Sequence, residues 1–301
     1  MRKTTIVLVV ALLTLGGASH AVVIANEPIC TGGASPDPSV IWCDDFEDPT
    51  PLNEKYFEYD DASGSFTRVA GVGMNGGYGM QVVWQPGQVG AGGFKRSFGR
   101  SPASSQSDST SDFREIYWRH YLKMERGWTG SPDKLSRAMI LATSNWAQAM
   151  IAHLWSGSGA DYLVIDPASG IQAGQLVTTG YNDFANLTWL GAVSGRTPIF
   201  ATASSGRWFC IEAHVKLNTP SRSDGVFEFW IDNQLEAGRY DLNWVDTWTG
   251  YGINAIFFEN YWNAGAPGVR VRYFDNIVIS RQRIGCLTTV APSPPIGLNL
   301  R

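Results

Sequence analysis

Apolar and polar positions alternate with period two in run after run of this chain, and stretches with the 3.6-residue period of a helix are scarce. The alternation predicts strands over 40–46, 78–84, 93–98, 115–124, 138–143, 149–155, 162–165, 208–217, 226–232, 253–260 and 269–280. Asp224-Gly225 and Asp232-Asn233 suit hairpin connections, while Gly76-Gly77, Gly92-Gly93 and Gly157-Ser158-Gly159 interrupt the runs. No repeat of propeller-blade length recurs, so these strands favour an all-β fold, a two-sheet antiparallel sandwich, over a propeller. One domain over 38–287 accommodates them, after a short extension at 22–37. The tail at 288–301 contains Pro292, Pro294 and Pro295 and lacks the N–H donors a sheet needs.

The first residues bear on the compartment. Met1-Arg2-Lys3 is basic, Ile6 to Leu15 is apolar, and Ser19-His20-Ala21 has the small residues of a cleavage site, so 1–21 reads as an export signal. Its apolar run is too short to span a membrane, and the mature chain is expected to be secreted, with no membrane association. In an oxidising compartment four cysteines favour two disulfides, with three possible pairings. Cys30 and Cys43 bracket a Gly- and Pro-containing loop, whereas Cys210 lies in a strand-like run and Cys286 follows another; the expected pairs are Cys30 with Cys43 and Cys210 with Cys286. Zinc is disfavoured because no C-x-x-C spacing occurs.

A formal charge of −4 argues against a sequence-independent nucleic-acid partner, which needs a basic excess to release phosphate counterions. Twelve Trp are more than a sandwich core of this size readily buries. Some should face solvent, where flat indoles stack on sugar rings, and a polysaccharide becomes the expected partner of a monomeric protein.

Alternation also assigns faces. Over 115–124 one face holds Glu115, Tyr117, Arg119, Tyr121 and Lys123, and the other Ile116, Trp118, His120, Leu122 and Met124. Over 208–218 the odd positions are apolar, while Trp208, Cys210, Glu212, His214 and Lys216 share the even face. Glu228, Trp230 and Asp232 lie opposite Phe227, Phe229 and Ile231. Three polar faces interleaved with aromatics thus suggest a cleft. His120, on an apolar face, reads as a core histidine held by one hydrogen bond; His153 follows an apolar run and fits either a core or a site.

Three segments, Trp42-Cys43-Asp44-Asp45-Phe46-Glu47, residues 207–218 and Tyr273-Phe274-Asp275-Asn276-Ile277-Val278-Ile279-Ser280, resemble the concanavalin A-like jelly roll of secreted polysaccharide lyases and lectin-like proteins. Residues 115–124 are similar to the long basic and aromatic strand crossing the cleft of such proteins, among them alginate, glucuronan and heparin lyases. The resemblance implies a jelly roll whose first and last strands are adjacent, and a lyase acting on an acidic polysaccharide by β-elimination. A cation must then stabilise the charge developing on the uronate carboxylate, a base must take the C5 proton, and an acid must protonate the leaving oxygen. Arg119 suits the first role, His214 (flanked by Glu212) or Tyr121 the second, and Tyr121 or Tyr261 the third, with all five expected in one groove. Tyr117, Lys123, Trp208, Lys216 and Trp230 would contact sugar. The segment bearing Tyr261 is similar in place to the Tyr-bearing strand of alginate lyases but lacks their Lys-x-Gly-x-Tyr-x-Gln pattern. No cofactor is expected, although Asp45 and Asp275, on adjacent terminal strands, offer oxygen ligands to calcium. A non-catalytic carbohydrate-binding protein is the alternative. A retaining glycoside hydrolase is disfavoured, because Glu228 and Asp232 lie about 13 Å apart at strand rise, beyond the separation such chemistry uses.

Overall fold

The computed structural model describes residues 30–105, 109–157 and 159–287. The export signal expected at 1–21 and the tail at 288–301 lie outside the described residues. Two antiparallel sheets face each other. The first contains β1 (Val40–Asp44), β3 (Phe66–Ala70), β4 (Tyr78–Trp84), β6 (Glu115–Met124), β10 (Trp208–Lys216), β11 (Gly225–Ile231), β12 (Gln234–Leu242) and β14 (Arg270–Ser280). Its spatial order is β12-β11-β10-β6-β14-β4-β3, and β1 also pairs with β14, so the first and last strands are adjacent as expected. The second sheet contains β2 (Glu58–Asp60), β5 (Gly90–Ser97), β7 (Ser136–Leu141), β8 (Gln148–Ser156), β9 (Leu163–Ser169) and β13 (Ala255–Tyr261), in the order β9-β8-β7-β13-β5-β2. Two short strands, Thr188–Trp189 and Val193–Ser194, border β9. This is the jelly-roll sandwich that the alternation and the resemblance led us to expect.

The core forms where the alternation puts it. Ile116, Trp118, His120, Leu122 and Met124 are buried between the sheets, facing the second sheet's Ile140, Leu154, Ile165 and Phe258. From β10, Phe209, Ile211, Ala213 and Val215 join them. His120 departs from expectation in one respect: neither ring nitrogen has a hydrogen-bond partner among the described residues. Its imidazole packs against Phe258 and Phe274, and burial, with Arg272 and Arg119 nearby, pushes its pKa down to about 3.

β12 escaped the pattern because its Glu236, Gly238, Arg239 and Asp241 break the apolar alternation; its pairing with β11 defines it instead. The intervening Asp232-Asn233 has φ of 50° and 66°, the paired left-handed conformation of a two-residue hairpin turn. Both expected disulfides form, with Cα–Cα separations of 5.9 Å. No helix among the described residues is long and apolar enough to cross a membrane.

One buried cation links the sheets. Arg272 reaches from β14 across the interior, where Nη2 donates to the carbonyls of Lys134 and Glu259 and to Asn260 Oδ1, at 3.2, 2.9 and 2.6 Å. Its guanidinium also lies 4.9 Å from the Trp84 ring centroid. Burial pushes its pKa down to about 9. The backbone of 134 and of 259–260 is thereby fixed from below, which matters for the residues they carry on the opposite surface.

Candidate functional site

The structure divides the expected catalytic set. Arg119, Tyr121, Glu212 and His214 share the outer face of the first sheet, through the pairings Glu212 with Arg119 and Cys210 with Tyr121. Tyr261 lies on the second sheet. A single groove containing all five is therefore corrected: the core of the sandwich separates them. Nor is the first face open. Glu212 accepts the backbone N–H groups of Ile284 and Gly285 at 2.6 and 3.0 Å, Arg119 Nη1 donates to the Gly285 carbonyl, and the Leu287 N–H donates to the Tyr121 hydroxyl. The segment leading to Cys286 runs over the sheet and is tied to Cys210, so Arg119, Tyr121 and Glu212 are buried beneath it. His214 is held at 2.9 Å from both Glu228 and Glu115, and it stacks on Tyr117. The expected sugar contacts share this surface: Lys123 lies over Trp208 and Tyr273, Arg283 covers Trp230, and Lys216 is exposed at the strand end.

The outer face of the second sheet is built differently. Its strand registers align Glu58, Lys95, Phe257, Arg137, His153 and Asp166 in one row across six strands. Arg137 forms a two-point ion pair with Glu259, its Nε 2.8 Å from Oε2 and its Nη2 2.9 Å from Oε1. The same guanidinium donates to Asn182 Oδ1 at 2.9 Å and to the Tyr181 hydroxyl. Lys134 Nζ lies 3.6 Å from Glu259 Oε1 and 4.7 Å from the Tyr261 ring centroid, and Lys95 pairs with Glu58 beneath Trp146 and Tyr181. Tyr181 and Asn182 arrive on a loop fixed locally: Asn182 adopts φ of 55°, its N–H donates to Gln148 Oε1, and Asp183 receives the Thr179 N–H.

The electrostatics follow from burial. Desolvation alone would raise Glu259, but Arg137 and Lys134 outweigh it and hold the carboxyl below its usual range. Burial pushes Lys95 down to about 8, lowers Lys134, and raises the Tyr181 phenol to about 12. His153 is driven well below the ordinary imidazole value by burial, reinforced by Arg137 and Lys134. It is therefore neutral, and its Nδ1, 3.0 Å from the Asp166 carbonyl, must carry the hydrogen. The lone pair is left on Nε2, which has no partner among the described residues. The ring stacks on Trp155 and Trp189, with centroids 4.0 and 5.5 Å away.

Beside these groups lies a cleft of about 480 Å³, lined by Trp155, Trp189, Phe184, Asp166, Asp133 and Lys134. A second cavity of about 210 Å³ has Glu259, Tyr261, Lys95, Gly90, Gly92 and Gly93 in its wall. The alternation predicts the strands at 93–98, 138–143, 149–155 and 253–260. Arg137, however, falls just before its predicted run, and Lys134 and Tyr181 lie in loops whose position over the sheet no alternation reveals. Of these groups the sequence singles out His153, which follows an apolar run, and the resemblance points to Tyr261.

Asp45 and Asp275 line a third cavity, of about 390 Å³, with Glu47. Burial pushes Asp275 up to about 7, and it accepts the N–H groups of Met74 and Asn276 at 2.6 and 2.8 Å. Among the described residues no group of three or more His, Cys, Asp or Glu is arranged to hold a metal ion.

No family model and no curated protein matches the chain. Solved structures do. The PL-14 alginate lyase of Aplysia kurodai superposes with a TM-score of 0.54 at 15% identity, covering 81% of this chain and 99% of that one. An endo-β-1,4-glucuronan lyase from Trichoderma reesei gives 0.49 at 14% identity, over 75% and 91% of the two chains. The alginate lyase vAL-1 from a Chlorella virus gives 0.48 at 14%, over 75% and 100%. The chain thus has the jelly-roll fold found in polysaccharide lyases.

Proposed function

We propose that this is an exported polysaccharide lyase-like enzyme that cleaves a uronate-containing polysaccharide by β-elimination, and that its reacting centre is the outer face of the second sheet. The observation that carries this reading is His153: a buried, neutral imidazole whose tautomer is fixed by the Asp166 carbonyl and whose Nε2 lone pair is uncommitted. A buried polar atom without a partner calls for a functional account, and a neutral base beside cations is what proton abstraction from the carbon next to a carboxylate requires. Nε2 is itself covered in this structure, so in the proposed step the substrate first displaces the side chains over it, and Nε2 then takes the C5 proton. The C–H electron pair becomes the C4=C5 double bond, the C4–O bond breaks, and the leaving oxygen is protonated by the hydroxyl of Tyr261, a residue 36% exposed whose ring lies beside Lys134. Lys134 and Lys95 stabilise the charge that spreads onto the carboxylate. Arg137, committed to Glu259, Tyr181 and Asn182, positions the site.

Two disulfides suit an oxidising compartment and support the export expected from the N-terminal segment. The test is incubation with a panel of acidic polysaccharides while following the ultraviolet absorbance of the unsaturated uronate product. Product from the wild type, lost in His153→Gln, is expected. A carbohydrate-binding protein without catalysis is favoured by one observation, the stacked Trp155, Trp189 and Phe184 at the cleft; absence of product together with retardation in polysaccharide gels would establish it instead.

A further inference from the structure

The charge along the open face is not uniform. Arg137 and Lys134 form an island in the middle of the sheet, tied to Glu259, and Lys95 lies beside them beneath Tyr181, paired with Glu58. Towards the β9 edge the cleft turns acidic and aromatic, with Asp133 and a half-buried Asp166 beside Trp155 and Trp189. Towards the β2 edge, Glu58 and Asp60 line the glycine-walled cavity. The larger cavity is lined from β8, β9 and the residues just before β7, and the smaller from β13, β5 and β2, so a chain occupying both crosses the strands, with neighbouring strands about 5 Å apart. One pyranose ring is close to that spacing. A polymer bearing a carboxylate on every ring would set its flanking carboxylates against Asp133 and Asp166 on one side and against Asp60 on the other, Glu58 being paired with Lys95, whereas neutral rings would meet indole faces and hydrogen-bond acceptors for their hydroxyls. The chain's net negative charge disfavours a densely anionic partner in the same sense.

We infer that the substrate is a mixed polysaccharide in which an isolated uronate is flanked by neutral sugars, the uronate meeting the Lys134–Lys95 island and a neutral ring stacking in the Trp155–Trp189 cleft. This rests on the lyase reading for its principal readout. The experiment compares kcat/KM on deacylated gellan and a rhamnogalacturonan backbone, where uronates are separated by neutral sugars, with that on alginate, glucuronan and polygalacturonate. At least a tenfold preference for a mixed polymer is expected. Equal or faster cleavage of any homopolyuronate overturns the inference and leaves the lyase reading standing. If no polymer yields product, the lyase reading fails, and affinity electrophoresis on the same panel decides the inference: retardation by mixed polymers alone upholds it, while equal retardation by homopolyuronates, or none by any, overturns it. Asp166→Asn should raise kcat/KM on homopolyuronates at least threefold relative to the mixed polymers, and an unchanged ratio counts against the acidic flank as the discriminating element.

Discussion

The two outer faces of this sandwich contain nearly the same residue types and differ in what those residues are committed to. On the first sheet His214 sits between Glu228 and Glu115, Glu212 is filled by two backbone N–H groups, and Arg283 lies 4.4 Å above the Trp230 ring. On the second, His153 keeps one nitrogen without a partner among the described residues, and Trp189 is 42% exposed. Histidine, arginine, glutamate and aromatics on a strand face therefore do not distinguish a site from a clamp; the completeness of their pairing does. The sharpest way to break the contrast is to remove each histidine. His153→Gln should lower turnover about 100-fold or more, the usual worth of a positioned general base, while His214→Gln should leave it within about twofold. Steady-state rates on the preferred polysaccharide check both, and a larger loss from His214 would reverse the assignment of the faces.

That contrast also marks how far the sequence could be read. Period-two alternation located the long strands and turned their apolar sides inward, since a one-residue slip would expose every core side chain of β6 and β10. Alternation states which residues share a face, but not what covers that face. The cover over Arg119 and Glu212 comes from residues 284–287, about 70 positions beyond Glu212, and its backbone N–H groups leave no trace in composition. Likewise Tyr181 reaches Arg137 only because Asn182 takes a left-handed turn and Gln148 holds it. His153 was visible because its strand carries a period, and Tyr261 because its segment resembles the Tyr-bearing strand of alginate lyases; Lys134 and Tyr181 were not, because loops have no period.

If the first face is a clamp, loosening it should cost stability and spare activity. Replacing Cys210 and Cys286 by Ser opens a link spanning 76 residues and should cost about 2–4 kcal/mol. Glu212→Ala, which orphans two backbone donors, should cost about 1–3 kcal/mol. Urea unfolding reads both, and kcat of the folded fraction is expected to stay within about twofold. A selective loss of kcat with unchanged stability would give this face a catalytic role after all.

Acid provides the next comparison. His153 is held neutral in the folded protein well below the 6.5 of an ordinary imidazole, so below that pH the unfolded chain binds a proton that the native state refuses. Stability associated with this group is therefore intact above pH 6.5 and falls by about 1.4 kcal/mol per unit as pH drops through the acid range. Asp275 works oppositely: raised to about 7, it stays protonated when folded while the unfolded carboxyl has ionised, and it favours the native state as pH falls from 7 towards 4. The wild-type profile mixes the two, so the informative quantity is the difference between wild type and His153→Gln. The variant should gain stability relative to wild type as pH falls from 7.5 to 5, by urea titration at each pH. The substitution that lowers turnover thus improves acid stability, and a pH-independent difference would show that His153 is not held neutral.

The smallest effect separates the two sets of indoles. Trp189 stands at the mouth of the open cleft, with ring centroids 5.5 Å from His153 and 6.1 Å from Phe184, and it is 42% exposed. Stacking of a sugar ring on such an indole is worth about 1 kcal/mol. Trp189→Ala should therefore raise KM about fivefold while leaving kcat within about twofold, because the ring binds the ground and transition states alike. Trp230 is buried under Arg283, so Trp230→Ala should leave KM unchanged and lower the unfolding midpoint. Measuring KM and thermal midpoint for the pair distinguishes a platform from packing: if Trp230→Ala raises KM and Trp189→Ala does not, sugar binds the first sheet, and the open face of the second loses its assignment.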